Sequence, residues 1–295
     1  LKLSCFREGP QPSRRMAMAE PAARSGGRRV RPQRGILFSL WAVSLVLLVT
    51  LCFKNGASSG TPEADGSAFL ATKIGVLSLP QHFIVERIVQ SHFPGAMPGS
   101  RALKKVLKAI KPYGLTAKNT IYGQSICPDE INMDPGHIST LMTAYHGRNF
   151  FLGGLGGVPF AGKTGFMAFS AHVPKDGHVF VLFGPHLGFT PKGEPGKFIR
   201  HGQDTPSTAC GASNAALAQV SSGENFPYDD SDVMQGWLRS KLAPSCPDIM
   251  ASAHPMIELA LRNYNIVEQE IKKIINTNYG PGKLVLLGGI QINMP

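Results

Sequence analysis

Three side chains far apart in this sequence have the chemistry of metal ligands. Cys127 follows a strand-like run at 119–126, His186 follows an apolar one at 178–183, and Cys210 opens a helical stretch beginning near Thr208. If the two runs are strands of one sheet, their carboxyl ends lie where α/β sheets gather ligands. A thiol at a helix N-terminus is favoured as the thiolate by the helix dipole. Two thiolates and one imidazole form a zinc set with a fourth position left open, which is the catalytic rather than the structural pattern. The gaps of 59 and 24 residues do not certify such a site, because no short ligand spacing is present. A buried cysteine acting as a small hydrophobe, and a histidine satisfied within a core, remain the competing readings.

A second stretch, GVPFAGKTGF, matches G-x-x-x-x-G-K-[ST] through Gly157, Gly162, Lys163 and Thr164. A phosphate loop needs a buried strand before the glycines and a helix directly after, so that backbone amides and the helix end hold the phosphates. Here the strand would be 149–152, and Gly153, Gly154 and Gly156 interrupt it before the motif begins. No apolar strand ending in aspartate is available to hold a magnesium ion. The expectation is a glycine turn packed closely beneath neighbouring backbone.

The elements that must position these residues follow from periodicity. Helices are expected at 80–93, with Phe83, Ile84, Ile88 and Val89 on its apolar face, at 101–110, at 138–145, from 208 onward, and at 255–278. Strands are expected at 119–126, 178–183 and 283–292. Strands alternating with helices predict a single α/β domain. The segment around Cys246 (Pro244 to Asp248) reads as a loop whose likeness to Cys127-Pro128-Asp129 is coincidental, and Glu130 reads as a turn cap.

Charge is unevenly spread. The chain carries a formal +11, but residues 1–54 hold ten Lys/Arg against two acids, which leaves +3 for the rest. The remaining residues therefore have no composition suited to tracking phosphates, and nucleic acid is not an expected partner. Within the leader, residues 1–35 are basic, with 1–15 upstream of Met16 read as candidate untranslated sequence. Residues 36–53 are uncharged and apolar enough for a membrane anchor or signal core, and 54–75 are small and hydroxylated. This order resembles the two-part presequence of algal plastids acquired by secondary endosymbiosis; an endoplasmic-reticulum signal anchor is the alternative. Membrane contact is expected only through this segment. Three cysteines in the remaining chain make a poor disulfide framework and suit a reducing compartment.

The runs YGQSICPDEIN, FFLGGLGGVPFAGKTGFMAFSAHVP, FVLFGPHLG, GQDTPSTACGA and LLGGIQIN resemble the limiting-CO2-inducible B/C protein family over residues 76–295. That family is also described as theta-type carbonic anhydrases, related to the beta type. The resemblance implies a single domain with a central, mainly parallel sheet flanked by helices, plus N-terminal helices, usually as a homodimer. It implies Zn2+ held by Cys127, Cys210 and His186, with His172 as the alternative imidazole, and CO2 and bicarbonate as substrates. Asp129 matches the carboxylate beside the metal. The beta-type pattern would place its arginine at 131, where this chain has Ile131. Arg200 is therefore the expected partner, with Arg148 behind it, and His172 or His201 is expected to carry the proton away. The implied activity is reversible CO2 hydration by metal-activated water in inorganic-carbon concentration. A catalytically silent, carbon-responsive subunit is the second reading.

Overall fold

The computed structural model describes residues 2–6, 37–39, 79–276 and 280–295. Most of the leader, including nearly all of the apolar run at 36–53 and the linker at 54–75, lies outside the described residues. No helix among the described residues is long and apolar enough to cross a membrane.

The centre is β5 (His178–Phe183), every residue of which is buried. It lies between β3 (Thr120–Ser125) and β9 (Leu284–Gly288), parallel to both, and β4 (Phe150–Phe151) adds a parallel edge beyond β3. Two strands from the leader, β1 (Lys2–Phe6) and β2 (Leu37–Ser39), extend the other edge in antiparallel fashion. The sheet order is β2-β1-β9-β5-β3-β4.

Alternation along the strands divides the core in two. Val179, Val181, Phe183, Leu284 and Leu286 face α4 (Gly162–Ser170), α6 (Val233–Leu242) and α8 (Pro255–Ile274), through Phe166, Phe169, Leu238 and Val267. Phe180, Leu182, Val285 and Leu287 face α2 (Gly99–Ile110) and α3 (Ile138–His146), through Val106, Ile110 and Met142. Each such side chain contributes about 1.5–3 kcal/mol on leaving water. Burial on both faces is why β5 and β9 read as continuous apolar runs. The expected α/β domain with a mainly parallel sheet and helices on both sides is what forms.

Several details differ from expectation. The run at 283–292 is two strands: β9 in the main sheet, then β10 (Gln291–Asn293), which pairs in parallel with β6 (His186–Gly188) in a separate ladder. The chain bends because Gly184 and Gly289 meet there; a Cβ on Gly184 would lie 1.7 Å from the Gly289 carbonyl oxygen. In α1 (Leu79–His92), Phe83 and Ile84 are more than half exposed, and the buried stripe is Val85, Val89 and, just past the helix, Phe93. That stripe packs on Leu187, Ile290 and Ile292, so α1 covers the β6–β10 ladder rather than the main sheet. Helix α8 ends at Ile274, not 278, and 277–279 lie outside the described residues. Cys246 begins a short helix, α7 (Cys246–Ala251), and is buried there rather than lying in a loop. The leader, set aside in the sequence reading, contributes β1 and β2.

Candidate metal centre

Cys127 comes two residues after β3 ends, His186 begins β6 directly after the Gly184 bend, and Cys210 is the N-cap of α5 (Gly211–Ser221). All three are buried, and one ligand atom from each lies within 4.8 Å of the others. The two Sγ atoms are 3.6 Å apart. A tetrahedral zinc with Zn–S near 2.3 Å sets two sulfurs about 3.8 Å apart, so the pair is nearly at bonding separation. His186 Nε2 is buried and has no hydrogen-bond partner. Asp129 Oδ2 lies 3.5 Å from it, and the Cys210 sulfur also interacts with the ring. An orphaned imidazole nitrogen facing two thiols is costly unless something binds it, and the donor set suits zinc.

The thiols are electrostatically unequal. The two sulfurs share one hydrogen bond that either can donate; it pushes the Cys127 thiol up, and burial pushes it further. The same hydrogen bond, assisted by His186, holds Cys210 well below the ordinary thiol value despite its burial. Cys210 is thus the first of the two to become a thiolate, in line with its place at the start of α5.

Asp129 lies beside this cluster, its side chain 10 % exposed. Burial pushes its carboxyl up, and the neighbouring His186 and Arg200 pull the other way. Arg200 lies between β7 (Lys197–Phe198) and β8 (Ser207–Thr208), a small antiparallel pair that holds it over the site. Its Nη2 is 2.9 Å from Asp129 Oδ2, its Nε is 2.7 Å from Glu130 Oε1, and its Nη1 donates to Ser207 Oγ. The structure therefore supplies from 200 the arginine that Ile131 does not. Glu130 does more than cap a turn, because it holds the far side of the same guanidinium.

The alternatives fall away. His172 is exposed, its ring centre 6.2 Å from that of Phe150, and it is no member of the ligand cluster. Arg148 is exposed and makes no ion pair with Asp129. His201 is exposed and adjoins Arg200.

The glycine-rich segment is the bed on which the ligand loops lie. A Cβ on Gly153 would come 2.5 Å from the Ile126 carbonyl oxygen, immediately before Cys127. A Cβ on Gly157 would come 2.4 Å from the Gly184 carbonyl oxygen, two residues before His186. Ser125 Oγ donates to the Gly157 carbonyl at 2.9 Å, tying the two together. A strand and a helix do flank the motif, as β4 and α4, but several amides of its loop are already engaged. Gly157 N donates to Gly154 O, Phe160 N to Val158 O, Ala161 N to Leu152 O and Gly162 N to Pro159 O. Lys163 and Thr164 are exposed. The segment is built to pack, not to cradle phosphate.

Sequence reasoning missed the polar layer behind the ligands. Asn293 Oδ1 is 2.9 Å from His186 Nδ1, and Asn132 Nδ2 donates to the Cys127 carbonyl at 3.1 Å. Gln291 and Ser139 complete the layer, all of it buried. The available signal was the alternation in Ile290-Gln291-Ile292-Asn293, which sets two amides on one face of an otherwise apolar strand.

Comparison with known proteins agrees with this fold. The family model described as limiting CO2-inducible proteins B/C, beta carbonic anhydrases, matches residues 96–295. The crystal structure of PtLCIB4, a homolog of the limiting CO2-inducible protein LCIB, is 29% identical. The alignment covers 71% of this chain and 88% of that one, with a TM-score of 0.65. The crystal structure of LCIB itself shares the fold at 22% identity and a TM-score of 0.54, covering 73% of this chain and 88% of that one. No curated protein matches the sequence.

Proposed function

Because this chain belongs to the limiting CO2-inducible B/C family of beta carbonic anhydrases, we propose that it catalyses reversible hydration of CO2 to bicarbonate, with zinc held by Cys127, His186 and Cys210. The observation that carries this reading is the convergence of two thiols and an unpartnered imidazole nitrogen, with the Asp129–Arg200 pair directly beside them.

Zinc in such a set would supply the Lewis acidity that brings the pKa of water towards about 7. The protein's own residues do the rest. Asp129 Oδ2, 3.5 Å from His186 Nε2, is the acceptor that orients the attacking water so that a lone pair faces the CO2 carbon. Arg200 holds that carboxylate in place and keeps it from swinging into the position meant for water. Its fork makes this a fixed orientation rather than a loose ion pair. The surrounding burial strengthens both interactions. His201, exposed beside Arg200, is the group we assign to passing the released proton to buffer.

The test is stopped-flow CO2 hydration by the purified chain, with zinc content measured on the same sample. Hydration that disappears on chelation and returns with zinc supports the reading. Stoichiometric zinc without hydration favours the silent, carbon-responsive subunit. A chain that takes up no zinc refutes the site itself.

A further inference from the structure

Amide orientation and histidine tautomer are ordinarily a matter of assignment, but here two main-chain carbonyls decide both. A carbonyl oxygen can only accept a hydrogen bond. Asn132 Nδ2 lies 3.1 Å from the Cys127 carbonyl, so its amide nitrogen faces that way and its Oδ1 faces inward. Asn293 Nδ2 lies 3.1 Å from the Ile131 carbonyl and 3.3 Å from Asn132 Oδ1, both acceptors. His137 Nε2 is a third, weaker neighbour of the same nitrogen at 3.4 Å. The nitrogen end of Asn293 is therefore fixed, and its Oδ1 must be the atom 2.9 Å from His186 Nδ1. An amide oxygen only accepts, so Nδ1 carries the hydrogen. A neutral ring has one N–H, which leaves the lone pair on Nε2, the orphaned nitrogen facing the two sulfurs.

We propose that Asn293 is a positioning residue that sets the tautomer and aim of His186, and that Asn132 links this to the Cys127 loop. This rests on the metal reading of the site. The layer is closed by Gln291, whose Nε2 donates to Asn132 Oδ1 at 2.9 Å while its Oε1 accepts from Ser139 Oγ at 2.9 Å. Asn132 and Asn293 are fully buried. The β6–β10 ladder brings them into place: it sets Gln291 opposite His186 and Asn293 opposite Gly188. Losing an outer partner of this kind typically costs about 10- to 100-fold in metal affinity.

Two variants of the full chain test the idea, read by zinc affinity in chelator competition and by 1H–15N spectra of the zinc-loaded protein. Asn293→Leu keeps the branched side-chain skeleton and removes the amide. Asn293→Asp keeps an acceptor for Nδ1–H but faces the Ile131 carbonyl with a second acceptor. Both should lose stability. Only Asn293→Leu should lose zinc affinity, by about 10- to 100-fold, and with it the exchange-protected His186 Nδ1–H resonance expected in wild type. Asn293→Asp should stay within about threefold of wild type on the same scale. Unchanged affinity in Asn293→Leu, or equal losses in both variants, overturns the proposal. Should Asn293→Leu fail to fold, the wild-type spectrum decides, since an unprotected Nδ1–H would refute the assignment. A wild-type chain that takes up no zinc sinks the metal reading and this proposal with it. One that binds zinc without hydrating CO2 sinks the catalytic reading and leaves the role of Asn293 standing.

Discussion

His146 offers a quantitative test of how the interior treats charge, away from the metal centre. It is the last residue of α3, its ring stacked on Tyr122 at 5.4 Å and set edge-on to Tyr145 at 4.9 Å. Neither ring nitrogen makes a hydrogen bond of good geometry. A helix C-terminus favours imidazolium by about 0.3–1 kcal/mol, up to about 2 in partly buried geometries. Burial opposes it and wins: the pKa is lowered to about 4, with the Thr120 carbonyl offsetting only part of the effect. The folded value lies below the ordinary value of 6.5, so the unfolded chain takes up the proton first as pH falls. This contribution to stability is complete above pH about 6.5 and is lost progressively down to about 4. Between pH 7.5 and 5.0 the linkage relation gives about 2 kcal/mol for this group, which residual contact with water trims to about 1–2 kcal/mol. His146→Phe keeps the stacking and removes the titration. Urea unfolding of both proteins at the two pH values isolates the term, because His137 and the metal ligands contribute to both alike. The variant should lose about 1–2 kcal/mol less than wild type on acidification. An identical loss in the two proteins would refute the account of the His146 environment.

Other outcomes follow from the same geometry. Asp129→Asn should retain zinc while the hydration rate falls by about 10²–10⁴-fold, read by stopped flow on metal-verified protein. Arg200→Lys should not restore function, because one ammonium cannot serve Asp129, Glu130 and Ser207 together; a rate loss on the order of 100-fold is expected. Gly157→Ala should cost about 3 kcal/mol, combining left-handed strain at φ +83 with a 2.4 Å clash, whereas Gly114→Ala, at φ +79 in open space, should cost about 1 kcal/mol in urea unfolding. Val89→Ala should cost about 2 kcal/mol and Phe83→Ser less than about 0.5 kcal/mol, although the apolar pattern of α1 sets both on one face.

What could be read from sequence depended on how local the signal was. β5 announces itself because both its faces are covered, and Cys210 because a helix begins at it. The strand end pointed to His186 with His172 as its alternative; the bend at Gly184 turns the first into the site, while His172 is exposed after α4. The α1 face was placed correctly at Val89 but misjudged at Phe83 and Ile84, which are as apolar as the buried Val85, because α1 packs on a ladder that sequence reading had merged into one strand. Asn293 and Asn132 carry no motif at all. Their meaning arises only when positions 161 residues apart share one carbonyl-anchored layer. Arg200 was expected only because the family resemblance called for a guanidinium that Ile131 does not supply, and Glu130 on its other side was read as a cap because its partner lies 70 residues away.

The bed beneath the ligand loops joins main chain to main chain, at Gly153 against Ile126 and at Gly157 against Gly184. Adding a single methyl there would lift Cys127 or His186 out of line without touching any reacting atom. In a mutagenesis screen scored by turnover alone, these mute positions would masquerade as participants in the reaction. Only a parallel count of bound metal and of folded protein would reveal them as masonry.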